Sequence, residues 1–178
     1  MQKNKSFLIN SALMLGLTVG GGTIQPALAD TALNITGTIK ASPCTVSDNG
    51  GSGISVNLGD NIEATSLAAP SSASGWVQFN IPMSNCPTTT QQVSAAFSGT
   101  VAEESATLYK STGTASRVQI ELQDSAGNNQ GNGTTLVQPV NATTHEATFP
   151  LRVRAYSSQG GATPGSILGR VVVSFTYI

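Results

Sequence analysis

The chain is predicted to be an all-β sandwich of immunoglobulin-like size and strand count. Three observations carry that expectation. Many short segments alternate apolar and polar side chains with a period of two, turns rich in Gly and Asn separate them, and no 3.6-residue apolar stripe runs longer than about two turns.

Residues 1–29 stand apart from the fold. Lys3 and Lys5 give a positive start, an apolar run without a charge follows from Phe7 to about Val19, and Ala27-Leu28-Ala29 presents the small residues a signal peptidase needs. The run is too short, and too glycine-rich at Gly20-Gly21-Gly22, to span a bilayer. Cleavage after Ala29 is expected, leaving an exported chain of about 149 residues, enough for one domain with a sizeable core. The loss of Lys3 and Lys5 leaves six basic side chains against nine acidic ones, a formal net charge of −3. A nucleic-acid binder needs a basic patch to displace counterions, so nucleic acid is excluded as a partner.

Residues 31–40 read T-A-L-N-I-T-G-T-I-K. Leu33, Ile35 and Ile39 lie on one face and Asn34, Thr36, Thr38 and Lys40 on the other, the pattern of a strand with one buried side. Gly37 interrupts the apolar face and removes a side chain where another backbone or a bulky ring has to come close. After Pro43-Cys44 a short strand runs into an Asn-Gly turn. Ile54, Val56 and Leu58 alternate with Ser55 and Asn57 in a second strand, and residues 62–74, rich in Ala and Ser, read as a surface loop with room for one helical turn.

From Trp76 to Met83, Val77, Phe79 and Ile81 alternate with polar neighbours, and Pro82 and Pro87 place the end of that strand at a sheet edge or bend. Val93, Ala95 and Phe97 form one face of the next strand, closed by Ser98-Gly99. Residues 103–116 are polar and are expected to be a connecting excursion around Leu108-Tyr109. Val118, Ile120 and Leu122 alternate cleanly before the turn D-S-A-G-N-N-Q-G-N-G, and a short strand follows over 135–140. Residues 147–156 carry Phe149, Leu151, Val153 and Ala155 on one face with Arg152 and Arg154 opposite. A long last strand, 167–178, sets Val171, Val173, Phe175 and Tyr177 against Val172, Ser174, Thr176 and Ile178.

Catalytic chemistry is poorly supplied. His145 is the only histidine, and H-E-A-T-F begins like the H-E-x-x-H metalloprotease motif but has Phe149 where the second histidine belongs, on a segment patterned as a strand. No G-x-S-x-G elbow, P-loop or dinucleotide fingerprint occurs, so no enzymatic activity, metal or cofactor is expected. The N-x-T matches at Asn34, Asn132 and Asn141 are the chance yield of an Asn- and Thr-rich chain. Cys44 and Cys86 meet an oxidising compartment after export, which favours a disulfide over two buried free thiols. Two Cys and one distant His do not make a metal cluster.

The pattern alone leaves open whether the first and last strands take edge places in their own sheets. The assembly of A-S-P-C-T-V-S, S-N-C-P, E-L-Q-D-S-A-G-N, F-P-L-R-V-R-A and the terminal V-S-F-T-Y-I resembles the pilins of the chaperone–usher pathway, and most closely the minor adaptor subunits of type 1 pili. Gly165, fourteenth from the C-terminus, and the penultimate Tyr177 match that family's C-terminal signature; Ile178 departs from it by following the tyrosine with an apolar residue.

The resemblance implies an incomplete immunoglobulin-like β-sandwich (pilin fold), completed by a donor strand from another subunit. Residues 1–29 would be the signal peptide, 30–42 the donor extension and 43–178 the pilin domain. Leu33, Ile35, Gly37 and Ile39 match donor positions, and Cys44 and Cys86 match the family's disulfide. Val171, Val173, Phe175 and Tyr177 match the C-terminal strand that lines the groove and is first held by a periplasmic chaperone. The implied partners are neighbouring pilin subunits, a tip adhesin, that chaperone and an outer-membrane usher. The implied route leads through the periplasm to a surface fimbrium, where the subunit supports adhesion. A major rod subunit would have the same plan, whereas a secreted carbohydrate-binding sandwich would need an aromatic platform that one Trp and three Tyr supply poorly.

Overall fold

A computed structural model describes residues 43–47 and 53–178, together with Thr36. The expected signal segment 1–29, the expected donor positions Leu33, Ile35, Gly37 and Ile39, and the expected turn over 48–52 lie outside the described residues. All of the elements below belong to the unit that runs from Ile39 to Ile178.

Among the described residues, ten strands form two antiparallel sheets: β1 (Thr45–Val46), β2 (Ser72–Ala73), β3 (Val77–Ser84), β4 (Gln92–Gly99), β5 (Val101–Ala102), β6 (Ser105–Lys110), β7 (Gln119–Asp124), β8 (Thr135–Pro139), β9 (Ala147–Ser157) and β10 (Val171–Tyr177). The larger sheet has the order β1-β3-β9-β7-β6-β5, with β2 also paired to β9; the smaller has the order β10-β4-β8. Side chains that alternate along β4 and β9 build the core between them. Val93 and Ala95 are 0% exposed and Phe97 1%, and Phe149, Leu151, Val153 and Ala155 are all buried across from them.

The outer face of the large sheet has its own packing. Gln119 and Glu121 on β7 are buried although they point away from the core. Arg154 donates to Glu121 Oε2 at 2.6 Å, Arg152 donates through Nε and Nη2 to Gln123 Oε1, and the guanidinium groups of Arg152 and Arg154 lie 4.4 and 4.1 Å from the centroid of the Trp76 ring. A planar cation over an aromatic ring is attracted by its quadrupole, so these side chains lie flat and cover the polar row beneath.

Three expectations need correction. The stretch 54–58 keeps its alternation, with Ile54, Val56 and Leu58 half-buried and Ser55 and Asn57 exposed, but it belongs to no sheet. Residues 103–116 are not merely a connection: they contain β6, whose Tyr109 is 1% exposed and donates its hydroxyl to Gln130 O. The last strand begins at Val171 rather than at 167, because the preceding residues bond instead to the 111–116 loop. The end of β3 lies near a sheet edge, as Pro82 and Pro87 lead one to expect: the two-residue β1 flanks only Met83 and Ser84, and the Pro82 carbonyl accepts from Ser47 N. The surface loop 62–74 does contain a single 3-10 turn, Ala64–Leu67, which buries Leu67, and it also contributes β2.

The turn after β7 is held by Asp124, which is buried and accepts from the backbone and side-chain nitrogens of Asn128, both at 2.8 Å. Burial alone would push its carboxyl up, but hydrogen bonds from Asn128, Ala126 and Gly127 outweigh burial and hold it below its ordinary value of 3.8. A depressed folded pKa adds stability above the unfolded value, and that stability is lost as pH falls through the folded pKa. Urea midpoints followed from about pH 6 down to about pH 2 should therefore show wild type and Asp124→Asn converging below roughly pH 4. A constant gap across that range would remove the carboxylate from the account.

Candidate functional site

The site is a groove of about 790 Å³ along one side of the sandwich. One wall is β10, which pairs with β4 through a continuous register from Val171↔Gly99 to Tyr177↔Val93 and has no partner on its other edge among the described residues. The opposite wall is the unpaired stretch with Ile54, Val56 and Leu58. Phe79, Ile81, Phe97, Ile120, Leu122, Leu151 and Val153, drawn from both sheets, form the floor.

The contrast between β10 and β4 shows what is missing. On β4 the inward side chains are sealed, whereas Val171, Val173, Phe175 and Tyr177 on β10 point into the same core and stay only half-buried. Phe175 meets Phe149 at a ring-centroid distance of 5.6 Å, so the strand is seated on the core while its flank is open. Burial raises the Tyr177 phenol above its ordinary 10.0. Unpaired backbone groups beside an apolar trough accept an extended chain: a strand laid there would bond to β10 and drop every second side chain into the core.

Gly165 lines the groove at the end where β10 begins. Residues before β10 are stitched to the 111–116 loop. Thr112 N donates to Leu168 O, Ala115 N to Ser166 O, and Thr114 and Ser166 each donate a backbone N–H to the other's hydroxyl. Cys44 and Cys86 are bonded to each other and buried, tying the residue before β1 to the loop after β3. His145 lies in the turn before β9, where its backbone bonds to Asn141 O and accepts from Cys86 N. Glu146 and Phe149 follow on extended chain, so the H-E-A-T-F segment has no helical ligand spacing. No group of three or more metal-ligating side chains occurs among the described residues.

Of the sequence-predicted site residues, Gly165, Val171, Val173 and Phe175 line the groove directly, and Tyr177 packs against the core beside it. The opposite wall was missed. Ile54, Val56 and Leu58 read as an ordinary strand, and the signal that could have marked them is an alternating stretch with no strand left over to pair with it.

A sandwich with an open, strand-shaped slot beside its terminal strand is the fold of the pilin class. The P pilus rod subunit PapA superposes with a TM-score of 0.63 at 20% identity, over 77% of this chain and all of that one. Protein FimG of Escherichia coli (strain K12) is 39% identical over 161 residues, 90% of this chain and 92% of its own length. The S-fimbrial adhesin protein SfaS of Escherichia coli O6:K15:H31 is 34% identical over 148 residues, 83% of this chain and 85% of its own. The chain belongs to this family of fimbrial subunits. These relatives are fimbrial proteins rather than enzymes. No sequence-family profile matches the chain.

Proposed function

We propose that the chain is a minor structural subunit of a type 1-like fimbria, of the adaptor kind, which links its neighbours by strand exchange and carries out no catalysis. The half-exposed inner face of β10, beside an edge without a partner among the described residues, carries this reading. Residues 1–29 are then a signal peptide, 30–42 the donor extension and 43–178 the body. Leu33, Ile35 and Ile39 enter a neighbour's groove, with Gly37 passing where the fit is tightest, and this subunit's own groove takes the extension of another subunit. A periplasmic chaperone holds β10 until assembly, an outer-membrane usher passes the subunit to the surface, and a tip adhesin lies further along the fibre.

Three aliphatic side chains at about 1.5–3 kcal/mol each and a ladder of backbone hydrogen bonds at roughly 1 kcal/mol net apiece oppose the cost of ordering the strand. The test offers a peptide of residues 30–42 to a chaperone-held fimbrial subunit and follows capture on an unboiled SDS gel. The wild-type peptide should be captured. Ile35→Asp should not, since a charge in an apolar slot costs several kcal/mol, and Gly37→Leu should also fail for lack of room. Thr36→Asp should be retained, because a period of two turns that side chain outward. Equal behaviour of all four peptides would return the chain to a self-contained sandwich.

A further inference from the structure

The groove is electrostatically one-sided. Of the described residues that line it, Asp60 is the only one with a charge, and no Lys or Arg is among them. Asp60 is exposed and forms no ion pair among the described residues. It stands between Leu58 and Ile62, and these pack with Ala162 and Ile167 on the small second cluster formed by Leu67, Ala115, Val118 and Ala155. Asp60 therefore marks the end at which β10 begins, where Thr163 and Ser166 are also polar, while the floor and the far end are apolar. An apolar trough selects alternating side chains but does not distinguish one such strand from another. A lone carboxylate at one end does.

We propose that Asp60 is a partner-selecting residue of the groove, which reads a cation placed immediately after the last groove-filling side chain of the entering strand. The proposal rests on the strand-accepting reading above and names the chemistry of the partner: an extended segment from another subunit with alternate apolar residues, ending in Lys or Arg. The stretch 31–40 of this chain shows that such segments exist, since Lys40 follows Ile39 directly and, at a period of two, faces the rim when Ile39 faces the floor. A strand ending in an acidic residue meets an unpaired like charge at the same place. Discrimination by an exposed pair acts mainly on the rate of association and is screened by salt.

A charge-swap cycle tests the proposal. The peptide of residues 30–42 and its Lys40→Glu variant are each offered to the chaperone-held wild-type subunit and to its Asp60→Lys variant, and rates of SDS-resistant capture are measured at low and high salt. At low salt Lys40→Glu should slow capture by wild type about three- to tenfold, Asp60→Lys should slow capture of the unchanged peptide similarly, and the double swap should recover most of the rate. High salt should compress all four rates together. Equal low-salt rates in all four pairings, with the Ile35→Asp peptide still rejected, would overturn the role of Asp60 and leave strand acceptance intact. Capture of the Ile35→Asp peptide as fast as the wild-type peptide, or capture of none, would overturn the strand-accepting reading and this inference with it.

Discussion

A Gly165→Val subunit should fail to close the end of its groove and should lose at least about 2 kcal/mol of stability. A Cβ at residue 165 would sit 2.7 Å from Thr114 C and 2.8 Å from Ala115 Cα, and closer still to Ala115 N. These are backbone atoms, and no rotamer change moves them away. At Gly169 the nearest obstacle is the tip of the Ile120 side chain, which has other rotamers. To admit valine at 165, the chain must part from the 111–116 loop, and the bonds at risk are Ala115 N to Ser166 O at 3.0 Å and Ser166 N to Thr114 Oγ1 at 2.8 Å. Denaturant unfolding should show a lowered midpoint for Gly165→Val and a change within about 0.5 kcal/mol for Gly75→Ala, where a new Cβ meets nothing within 4 Å. A Gly165→Val midpoint equal to wild type would mean that the seam yields without cost.

Replacing Cys44 or Cys86 with serine should sharply reduce the amount of exported subunit recovered, while peptides of residues 30–42 carrying the native donor face are captured as before. The bond spans a sequence separation of 42 residues, and loss of such a native bond in a small exported domain typically costs about 2–5 kcal/mol. Local structure explains why so little else compensates. β1 is two residues long and pairs only Thr45↔Ser84 and Val46↔Met83, so it cannot hold the sheet edge alone. The proposed donor positions precede Cys44 and lie outside the closed loop. Recovery equal to wild type under oxidising conditions would make the bond dispensable.

The legible parts of the fold were the strands with one buried side. Val93, Ala95 and Phe97, and Phe149, Leu151, Val153 and Ala155, announce themselves by alternation because each contacts the core on one face only. β6 was hidden. In S-A-T-L-Y-K the buried residues Leu108 and Tyr109 are adjacent rather than alternate, so the period-two signal fails although the hydrogen bonding is a strand's. Buried Gln119 and Glu121 were equally unreadable, since Ser158 donates to the Gln119 side chain and Arg154, stacked on Trp76, pairs with Glu121, all distant in sequence. The groove was half legible. Alternation marks β10 as a strand, but its place as a groove wall was legible only through the family resemblance; the opposite wall at 54–58 carries the same pattern without a ladder, and no periodicity says whether a strand has found its neighbour.

The open edge of β10 also fixes how the assembled junction would meet force. On the proposed reading, a strand in the groove runs along β10, and tension carried through that strand's own chain would pull along the strand axis rather than across it. In that shear geometry the bonds of the whole seven-residue edge are loaded together, instead of parting one after another as in a hairpin peeled from its end. The strength of the link under tension is then set by the barrier to sliding the entire strand at once. Its inward side chains, lodged between Val171, Val173 and Phe175 on one side and Ile54, Val56 and Leu58 on the other, would act as the teeth of a ratchet.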